Sequence, residues 1–421
     1  MVAIATPARP QAITRSGPLA LGLAVLLAAD VALGLAYAVA TPIWQNPDEP
    51  AHYNYAAYVA ETGGLPELRA GDWDAGLLER VKTGQIAPTD PRVSSIRYEA
   101  WQPPLYYLLA AQVLRVAPGD LPADVRLLRT LDVLLGGLTL LVGWLIGREL
   151  FADDRWLALA VPLVMAGVPM FSSVSSAVSA DPLANLLAAC LTLVLLRAGR
   201  RAALLGVILG LGLLTKLAVG VFLPLALGMA LWRDRREGVL VLGLPALLLA
   251  PWLAHQVTTY GWLDPLATTR HAQVVADQPR FPGLSPEYLQ AFGTTTFHSF
   301  WAQFGWMAIP APDRLYWIWG ALTLLGVLGL FRSRLEARWR PVLAIVLLSL
   351  LAYVGYNLTF LQFQGRYLFI ALAPIAALLV RGWSALLPQR LRASGPLAIG
   401  VGLVALNLYA LTRVLEPGFR G

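Results

Sequence analysis

Three kinds of residue are scarce in this chain, and each scarcity excludes a type of protein. Charged residues make up only 14% of the 421 residues, whereas an ordinary soluble domain has about 25%. A soluble globular domain is therefore excluded. Cys190 is the single cysteine, so the sequence holds neither a disulfide framework nor a cysteine-based metal site. With four histidines and no cysteine cluster, a tight zinc site has no support either.

The residues that are abundant indicate a membrane protein. Hydrophobic residues make up 57% of the chain, and the mean hydropathy is +0.62. A net charge of +7 would suit a nucleic-acid-binding protein if the basic residues shared one face. Instead, the arginines form short clusters between apolar segments, as the positive-inside rule describes for cytoplasmic loops. The sequence therefore predicts a multi-spanning membrane protein that does not bind nucleic acid.

Apolar segments and arginine clusters together predict eleven membrane spans. Segment 103–117 is shorter than the roughly 20 residues that a span requires, and counting it as a span would place every later arginine cluster outside. We interpret it as an interfacial or re-entrant helix, and we divide 202–232 into two short spans that turn near Lys216. The predicted spans are 18–39, 126–147, 156–172, 182–197, 202–215, 217–232, 238–254, 315–331, 341–360, 367–381 and 395–412.

This topology predicts an all-α polytopic protein of the cytoplasmic (inner) membrane, with residues 1–421 as a single domain. Two long loops, 40–125 and 255–314, lie outside, and the first is predicted to carry interfacial helices. The arginine clusters lie on the cytoplasmic side, among them Arg9 and Arg15 before the first span and Arg200 between two spans.

One outer stretch, the ten residues 46–55 with the sequence NPDEPAHYNY, directly follows the first span. Asp48 and Glu49 place two carboxylates where a short amphipathic helix begins, and Pro50 is tolerated in a first turn. One interpretation is that Asp48 caps this helix. The other is that the carboxylates carry chemistry at the outer membrane surface.

The end of the first outer loop adds further candidates. Glu99 and Gln102 stand just before Pro103-Pro104, which keeps them in extended backbone suited to ligand contact. A solvated loop charge is the alternative for Glu99. Arg126 and Arg129 lie at the outer start of a span, against the positive-inside trend, and are suited to hold a lipid phosphate or lipid head groups in general.

Three later outer turns contain charged residues. Asp181 starts a span, either as a helix cap or as a site residue. Lys216 stands between two short apolar halves, where it either snorkels to the interface or meets a phosphate. Arg366 lies at the mouth of a span, and the preceding Gly365 permits close backbone approach. Charged groups at a membrane edge are costly unless paired or used, so their location on one face favours a site.

In order, the motifs NPDEPAHY, QPPLYY, DPLAN, GLLTK and QGRY resemble those of GT-C superfamily membrane glycosyltransferases. The resemblance extends over roughly residues 20–370. It is strongest to DUF2142-like and dolichyl-phosphate-mannose-protein mannosyltransferase-like proteins, related to glycosyltransferase family 39. One departure is Trp101-Gln102, where many relatives have His or Lys before the two prolines.

The resemblance implies a GT-C fold and a hexosyltransferase that moves a sugar from a polyprenyl-phosphate donor to a glycan, lipid or protein acceptor outside the membrane, with inversion. It implies that Asp48, with Glu49 beside it, is catalytic. A carboxylate would activate the acceptor hydroxyl, and cations would stabilise the leaving phosphate. The candidate residues for donor binding are His52, Glu99, Gln102, Arg126, Arg129, Asp181, Lys216, Gln364, Arg366 and Tyr367.

A divalent cation, Mg²⁺ or Mn²⁺, is a candidate cofactor, with Glu49, Glu99 and Asp181 as candidate ligands. The alternative functions are a lipid or sugar transporter (flippase) and a non-catalytic scaffold. A transporter predicts ionisable residues near mid-membrane and an inverted repeat. The second outer loop, with Trp262, Tyr288, Trp301 and Trp306, is expected to cover the site, because aromatic faces stack on sugars.

Overall fold

A computed structural model describes residues 17–197 and 201–420. Arg9, Arg15 and Arg200, which the topology prediction uses, lie outside these residues. The regular secondary structure of the described residues is almost entirely helical, and their single sheet is a two-stranded antiparallel hairpin. The prediction of an all-α polytopic membrane protein is thereby confirmed.

Short 3-10 segments lie between some of the α-helices. The α-helices are α1 (Gly17–Ala40), α2 (Glu49–Thr62), α3 (Ala75–Lys82), α4 (Leu105–Val116), α5 (Leu121–Leu150), α6 (Arg155–Ala166), α7 (Pro169–Ser175), α8 (Asp181–Leu196), α9 (Ala202–Thr215), α10 (Leu223–Arg233), α11 (Arg235–Tyr260), α12 (Thr268–Val274), α13 (Pro286–Trp301), α14 (Asp313–Arg332), α15 (Arg340–Asn357), α16 (Leu372–Leu386), α17 (Ser394–Ala410) and α18 (Glu416–Arg420). The remaining elements are 3-10 helices at Pro91–Ser95, Leu217–Phe222, Ala337–Trp339, Gly365–Ala371 and Gln389–Leu391, a π-helix at Leu411–Leu415, and strands β1 (Gln303–Phe304) and β2 (Ile309–Pro310).

Within the described residues, seven helices are long and apolar enough to cross a membrane, or eight if α6 and α7, bent by 68°, form one span. Three shorter apolar helices, α8, α9 and Leu217–Arg233, match the remaining predicted spans. Every predicted span thus coincides with a helix, whereas the count of eleven stays a prediction. The 12 residues of α4 reach only about 18 Å at 1.5 Å per residue, too short to cross alone.

The predicted break at Lys216 is present. Lys216 has extended backbone between α9 and the following 3-10 helix. A Cβ on Gly206 would lie 2.5 Å from the Leu240 carbonyl oxygen, and one on Gly210 would lie 3.0 Å from Pro245 Cα. Because the residue numbers of the contacting pairs increase along both helices, α9 and α11 run in the same direction. Helix α10, which lies between them in the chain, must therefore run in the opposite direction, as two short spans require.

Contacts between loops assign the two ends of the helical bundle. At one end, Arg197 forms an ion pair with Glu149 at 2.7 Å, and Arg381 donates to the Arg334 carbonyl at 3.0 Å. These residues belong to the basic loops predicted to share the cytoplasmic side. At the other end, the long loops 40–125 and 255–314 contact each other; we call this the loop end. The structure therefore separates the two sets of loops as the charge pattern predicts.

At the loop end, the first long loop folds into a small core of its own. Helix α2 buries Ala51, Tyr55 and Val59 and packs against α4, where Tyr55 stacks on Tyr107 with ring centroids 3.6 Å apart. A helix is present where the sequence predicts one after residue 50, and the packing of α2 fixes the backbone that follows the first span.

Candidate active site

A cavity of about 340 Å³ lies between the two long loops and the loop ends of α8 and α15. Its polar part, nearest the loops, is lined by Asp48, His52, Tyr98, Glu99, Trp101, Gln102, His271, Gln278 and Gln362. At its centre are Asp181, Lys216, Arg366 and Tyr367. A third part is mainly apolar and is lined by residues of α8, α15 and the segment after Lys216.

Asp48 does not use its side chain as a helix cap, although it stands at the start of α2. Its backbone has φ of 66°, in the left-handed region, which costs an L-residue roughly 1–2 kcal/mol. This turn directs the carboxylate into the cavity. Oδ1 accepts a hydrogen bond from the Tyr98 hydroxyl at 2.8 Å, and Oδ2 accepts one from Arg366 at 2.6 Å.

Burial opposes ionisation of Asp48, but the charge of Arg366 and the hydrogen bonds from Tyr98 and Arg366 outweigh it. The pKa of Asp48 is therefore lowered below its usual value. A carboxylate that stays ionised and held on both oxygens is preorganised to receive or orient a proton.

Glu49, the second carboxylate of the motif, points away from the cavity. It is fully buried and forms a two-pronged ion pair with Arg129, with distances of 2.8 Å and 2.7 Å. The backbone amides of Trp44 and Val178 also donate to it. Arg129 in turn donates to three carbonyls at the end of the first span, those of Ala38, Thr41 and Pro42. This pair fixes the turn that carries Asp48, and neither member lines the cavity.

Two ion pairs occupy the centre of the cavity. Lys216 bonds Asp181, and Arg366 bonds Asp48 while its second terminal nitrogen lies 3.9 Å from Asp181. Asp181 makes no cap bond to the backbone of α8, so the cap interpretation does not apply. The Tyr367 ring lies 5.7 Å from Lys216 Nζ and 5.5 Å from the guanidinium carbon of Arg366, within reach of cation–π attraction.

The QGRY turn holds Arg366 in place. Gln364 accepts a bond from Arg366 Nε at 2.6 Å and therefore supports it from outside the cavity lining. A Cβ on Gly365 would lie 2.3 Å from the Thr296 carbonyl oxygen, so only glycine fits against α13 at this point. The predicted close backbone approach at Gly365 is present.

Glu99 lines the cavity, and its Oε2 atom is buried without a hydrogen-bond partner. Burial and the nearby charge of Asp48 raise the pKa of Glu99 to about 7. Near neutral pH Asp48 and Glu99 therefore differ, because Asp48 is ionised whereas Glu99 is protonated in about half of the molecules. Such a division is typical of acid–base pairs in active sites. Trp101 Nε1 is likewise buried without a partner, and Gln102 lines the same wall.

His52 extends from α2 into the cavity beside Asp48. Its Nδ1 shares a hydrogen bond with the Tyr107 hydroxyl at 2.7 Å. Burial lowers the pKa of His52 to about 4, so the ring is neutral near pH 7. A neutral imidazole suits contact with hydroxyl groups rather than with a phosphate charge.

The second long loop contributes to the cavity through residues other than the predicted aromatics. His271 and Gln278 line it, and the His271 ring lies 4.6 Å from that of Trp101. Trp262 is 84% exposed, and Trp301 lies in the core of the helical bundle. Tyr288 packs on Phe292, and Trp306 donates to the Trp44 carbonyl. The loop thus reaches the cavity with a histidine and a glutamine.

The structure brings most of the predicted site residues together. Those that line the cavity are Asp48, His52, Glu99, Gln102, Asp181, Lys216, Arg366 and Tyr367. Gln364 supports Arg366, Glu49 and Arg129 form the structural ion pair, and Arg126 is exposed away from the cavity. Three other lining residues, Tyr98, His271 and Gln278, are not among the predicted site residues. Tyr98 is next to Glu99 in the motif stretch, whereas the other two are in a loop without a motif.

The candidate metal ligands do not form a cluster. Among residues 17–197 and 201–420, no three His, Cys, Asp or Glu side chains are grouped so that they could hold a metal ion. Glu49 bonds Arg129 and Asp181 bonds Lys216. The predicted divalent cation therefore has no ligand set among these residues and stays a prediction.

Known proteins share parts of this sequence and its fold. Residues 101–262 match the family described as dolichyl-phosphate-mannose-protein mannosyltransferase, while no curated protein matches the chain in sequence. ArnT from Cupriavidus metallidurans, solved with undecaprenyl phosphate, is similar with 16% identity and a TM-score of 0.54, over 96% of this chain and 74% of ArnT.

A second similar structure is the Archaeoglobus fulgidus oligosaccharyltransferase. Its complex with zinc and sulfate has 13% identity and a TM-score of 0.54, over 93% of this chain and 52% of that one. Its form tethered to an acceptor peptide has 12% identity and a TM-score of 0.50. The family match and these two structures confirm the resemblance drawn from the motifs: the chain is a multi-pass membrane protein with the fold of the GT-C glycosyltransferases.

Proposed function

We propose that this protein is a glycosyltransferase that takes a sugar from a polyprenyl-phosphate donor at the cavity beside Asp48. The observation that carries the proposal is the composition of the cavity. Polar groups lie toward the loops, two ion pairs of a carboxylate and a cation lie at its centre, and apolar residues lie toward the membrane. A sugar, a phosphate and an isoprenoid chain require these three environments in this order.

The similar structures support this class of substrate. ArnT was solved with undecaprenyl phosphate, a lipid-linked phosphate, and the oligosaccharyltransferase was solved with an acceptor peptide. We infer the same two kinds of partner for this chain, a lipid-linked donor and a separate acceptor. By the positive-inside rule the loop end faces outward from the inner membrane, so the acceptor is a glycan, lipid or protein on that side.

The transfer step follows from the positions of the charges. The acceptor hydroxyl oxygen attacks the anomeric carbon of the sugar from the face opposite the phosphate. The bond from that carbon to the phosphate oxygen breaks, and its electron pair leaves with the polyprenyl phosphate. The hydroxyl proton passes to the Asp48 carboxylate. A single displacement of this kind inverts the anomeric configuration.

Arg366 links the proton acceptor to the leaving phosphate, because it bonds Asp48 before the reaction. The donor phosphodiester carries one negative charge and the released phosphate carries two. When Asp48 takes the proton, it becomes neutral and its attraction for Arg366 falls. Arg366 is then available to the phosphate just as the phosphate gains charge, with Lys216 beside it.

Transfer from synthetic polyprenyl-phosphate hexoses to acceptor mixtures tests the proposal in nanodiscs, with release of polyprenyl phosphate as the readout. The wild-type protein should release it. Lys216→Ala should mainly weaken donor binding, by about 1.5–3 kcal/mol for one charge-assisted hydrogen bond, whereas Arg366→Ala should mainly slow transfer, because Arg366 engages the phosphate as its charge develops. Arg126→Ala, exposed away from the cavity, is the matched control and should behave as wild type. Movement of intact donor across a bilayer without release of phosphate would instead support a transporter.

A further inference from the structure

Two polar side chains in the apolar part of the cavity have no hydrogen-bond partner. Asn185 lies one helical turn after Asp181 in α8, and Ser349 lies in the middle of α15. They are 4% and 3% exposed, and both Asn185 Nδ2 and Ser349 Oγ are buried without a partner. The apolar residues that line the cavity with them are Leu217, Ala218, Val221, Ala352 and Ile370.

Several other polar side chains within the apolar helices are satisfied by the protein, and those that are not, such as Ser175 and Trp319, do not line the cavity. Thr139 and Thr192 donate to carbonyls of their own helices, and Asn407 donates to the Ala166 carbonyl and to Ser172. Water is scarce at membrane depth, so a polar group without a partner is destabilising there. Unpaired polar groups that line a cavity are therefore best explained by a ligand that the cavity receives.

We propose that Asn185 and Ser349 hydrogen-bond the phosphate-ester head of the lipid donor from the side where its chain enters the membrane. This inference rests on the proposed function. An amide N–H and a hydroxyl both donate to phosphate oxygens, and neither brings a charge among apolar residues. The apolar residues around them suit the first isoprene units, while Lys216 and Arg366 approach the phosphate from the polar side.

The same residues favour a carrier with one phosphate rather than two. Among the described residues that line the cavity, the permanent cations are Lys216 and Arg366, and each already bonds a carboxylate. A second phosphate would lie beside neutral Asn185 and Ser349, where no cation offsets its charge. The site is therefore specific for polyprenyl monophosphates.

Binding of polyprenyl monophosphate to Asn185→Ala and Ser349→Ala variants in nanodiscs tests this assignment, because alanine removes the donor without adding bulk. Each variant should bind about tenfold more weakly than wild type, the effect of one lost hydrogen bond. The melting temperature of the ligand-free variants should not fall, because each loses a polar group that had no partner. Ser384→Ala, a buried serine of α16 outside the cavity, is the matched control.

The possible results separate this inference from the proposed function. Failure of the wild type to bind polyprenyl phosphate would refute the proposed function. Wild-type affinity in both variants would overturn the role of Asn185 and Ser349, and so would a lowered melting temperature, which would show that the two groups bond protein atoms. Polyprenol should bind without dependence on them. Inorganic phosphate that bound as tightly as the lipid and depended equally on them would assign the site to free phosphate. Polyprenyl diphosphate that bound as tightly as the monophosphate would overturn the specificity for one phosphate.

Discussion

Replacing Asp48 with asparagine should produce a protein that cannot transfer sugar but binds the released carrier more tightly than wild type. Asparagine keeps the size of the side chain and tolerates the left-handed backbone at this position, where φ is 66°. The turn and helix α2 should therefore be retained. What changes is the charge next to Arg366, which Asp48 now holds at 2.6 Å.

The size of the effect follows from that ion pair. In the wild type a phosphate must compete with Asp48 for Arg366, and a hydrogen bond between charged groups is worth about 1.5–3 kcal/mol. Without the competing carboxylate, polyprenyl phosphate should bind roughly 10- to 100-fold more tightly, at 1.4 kcal/mol per factor of ten. Transfer should fall by about 100-fold or more, because the proton acceptor is lost.

Titration calorimetry with polyprenyl phosphate in nanodiscs measures the affinity, and single-turnover transfer measures the loss of chemistry. The exposed Asp277→Asn variant removes a carboxylate next to the cavity-lining Gln278 and serves as control. Affinity in Asp48→Asn that equals or falls below wild type would refute the exchange of Arg366 between carboxylate and phosphate. Full turnover would remove Asp48 from the reaction and shift the proton acceptor to Glu99.

Three further predictions concern stability, pH and topology. Glu49→Gln leaves Arg129 buried without its anionic partner and should cost about 3–5 kcal/mol of folding stability; wild-type thermal unfolding would contradict this. Burial raises the pKa of Glu99 from 4.5 to about 7. The contribution of Glu99 to folding stability is therefore fully present below pH 4.5 and is lost as the pH rises through about 7. Asp48, Lys216 and Asp181 are the charged groups that act on it. Glu99→Gln should therefore lessen the decline in melting temperature across that interval, and an unchanged decline would contradict the raised pKa. For the topology, single cysteines are placed at exposed positions in a Cys190→Ala background. Those at Ala75 and Trp262 should react with an impermeant reagent in intact cells, whereas those at Ala152, Arg235 and Glu336 should not. Reversed labelling at position 262 alone would contradict two spans between 202 and 232.

The sequence was sufficient for the helical segments and for which loops share an end of the bundle, because both depend on local composition. Apolar length locates the helices, and arginine clusters mark the loops that meet at the end opposite the cavity. The break at Lys216 was also predictable, because one long helix would have inverted every later loop. The number of spans was less predictable, because short helices such as α8 and α9 differ little in composition from longer ones.

The roles within the site could not be read from sequence in the same way. Asp48 and Glu49 are adjacent and chemically alike, yet the left-handed backbone at Asp48 directs one carboxylate to Arg366 and the other to Arg129. These arginines are 318 and 80 residues away in sequence, so no local pattern predicts the pairing. His271 was not selected for the same reason, because only the folding of α12 over Trp101 brings it to the cavity.

The most direct test of the account is an experimental structure of the Asp48→Asn variant with a polyprenyl-phosphate hexose, since loss of turnover should preserve the bound donor. We expect the phosphate within hydrogen-bond distance of Arg366 and Lys216, and the anomeric carbon beside residue 48. The first isoprene units should lie between α15 and Leu217–Phe222. A donor bound elsewhere, or with its sugar turned away from residue 48, would contradict the proposal that this cavity carries out sugar transfer.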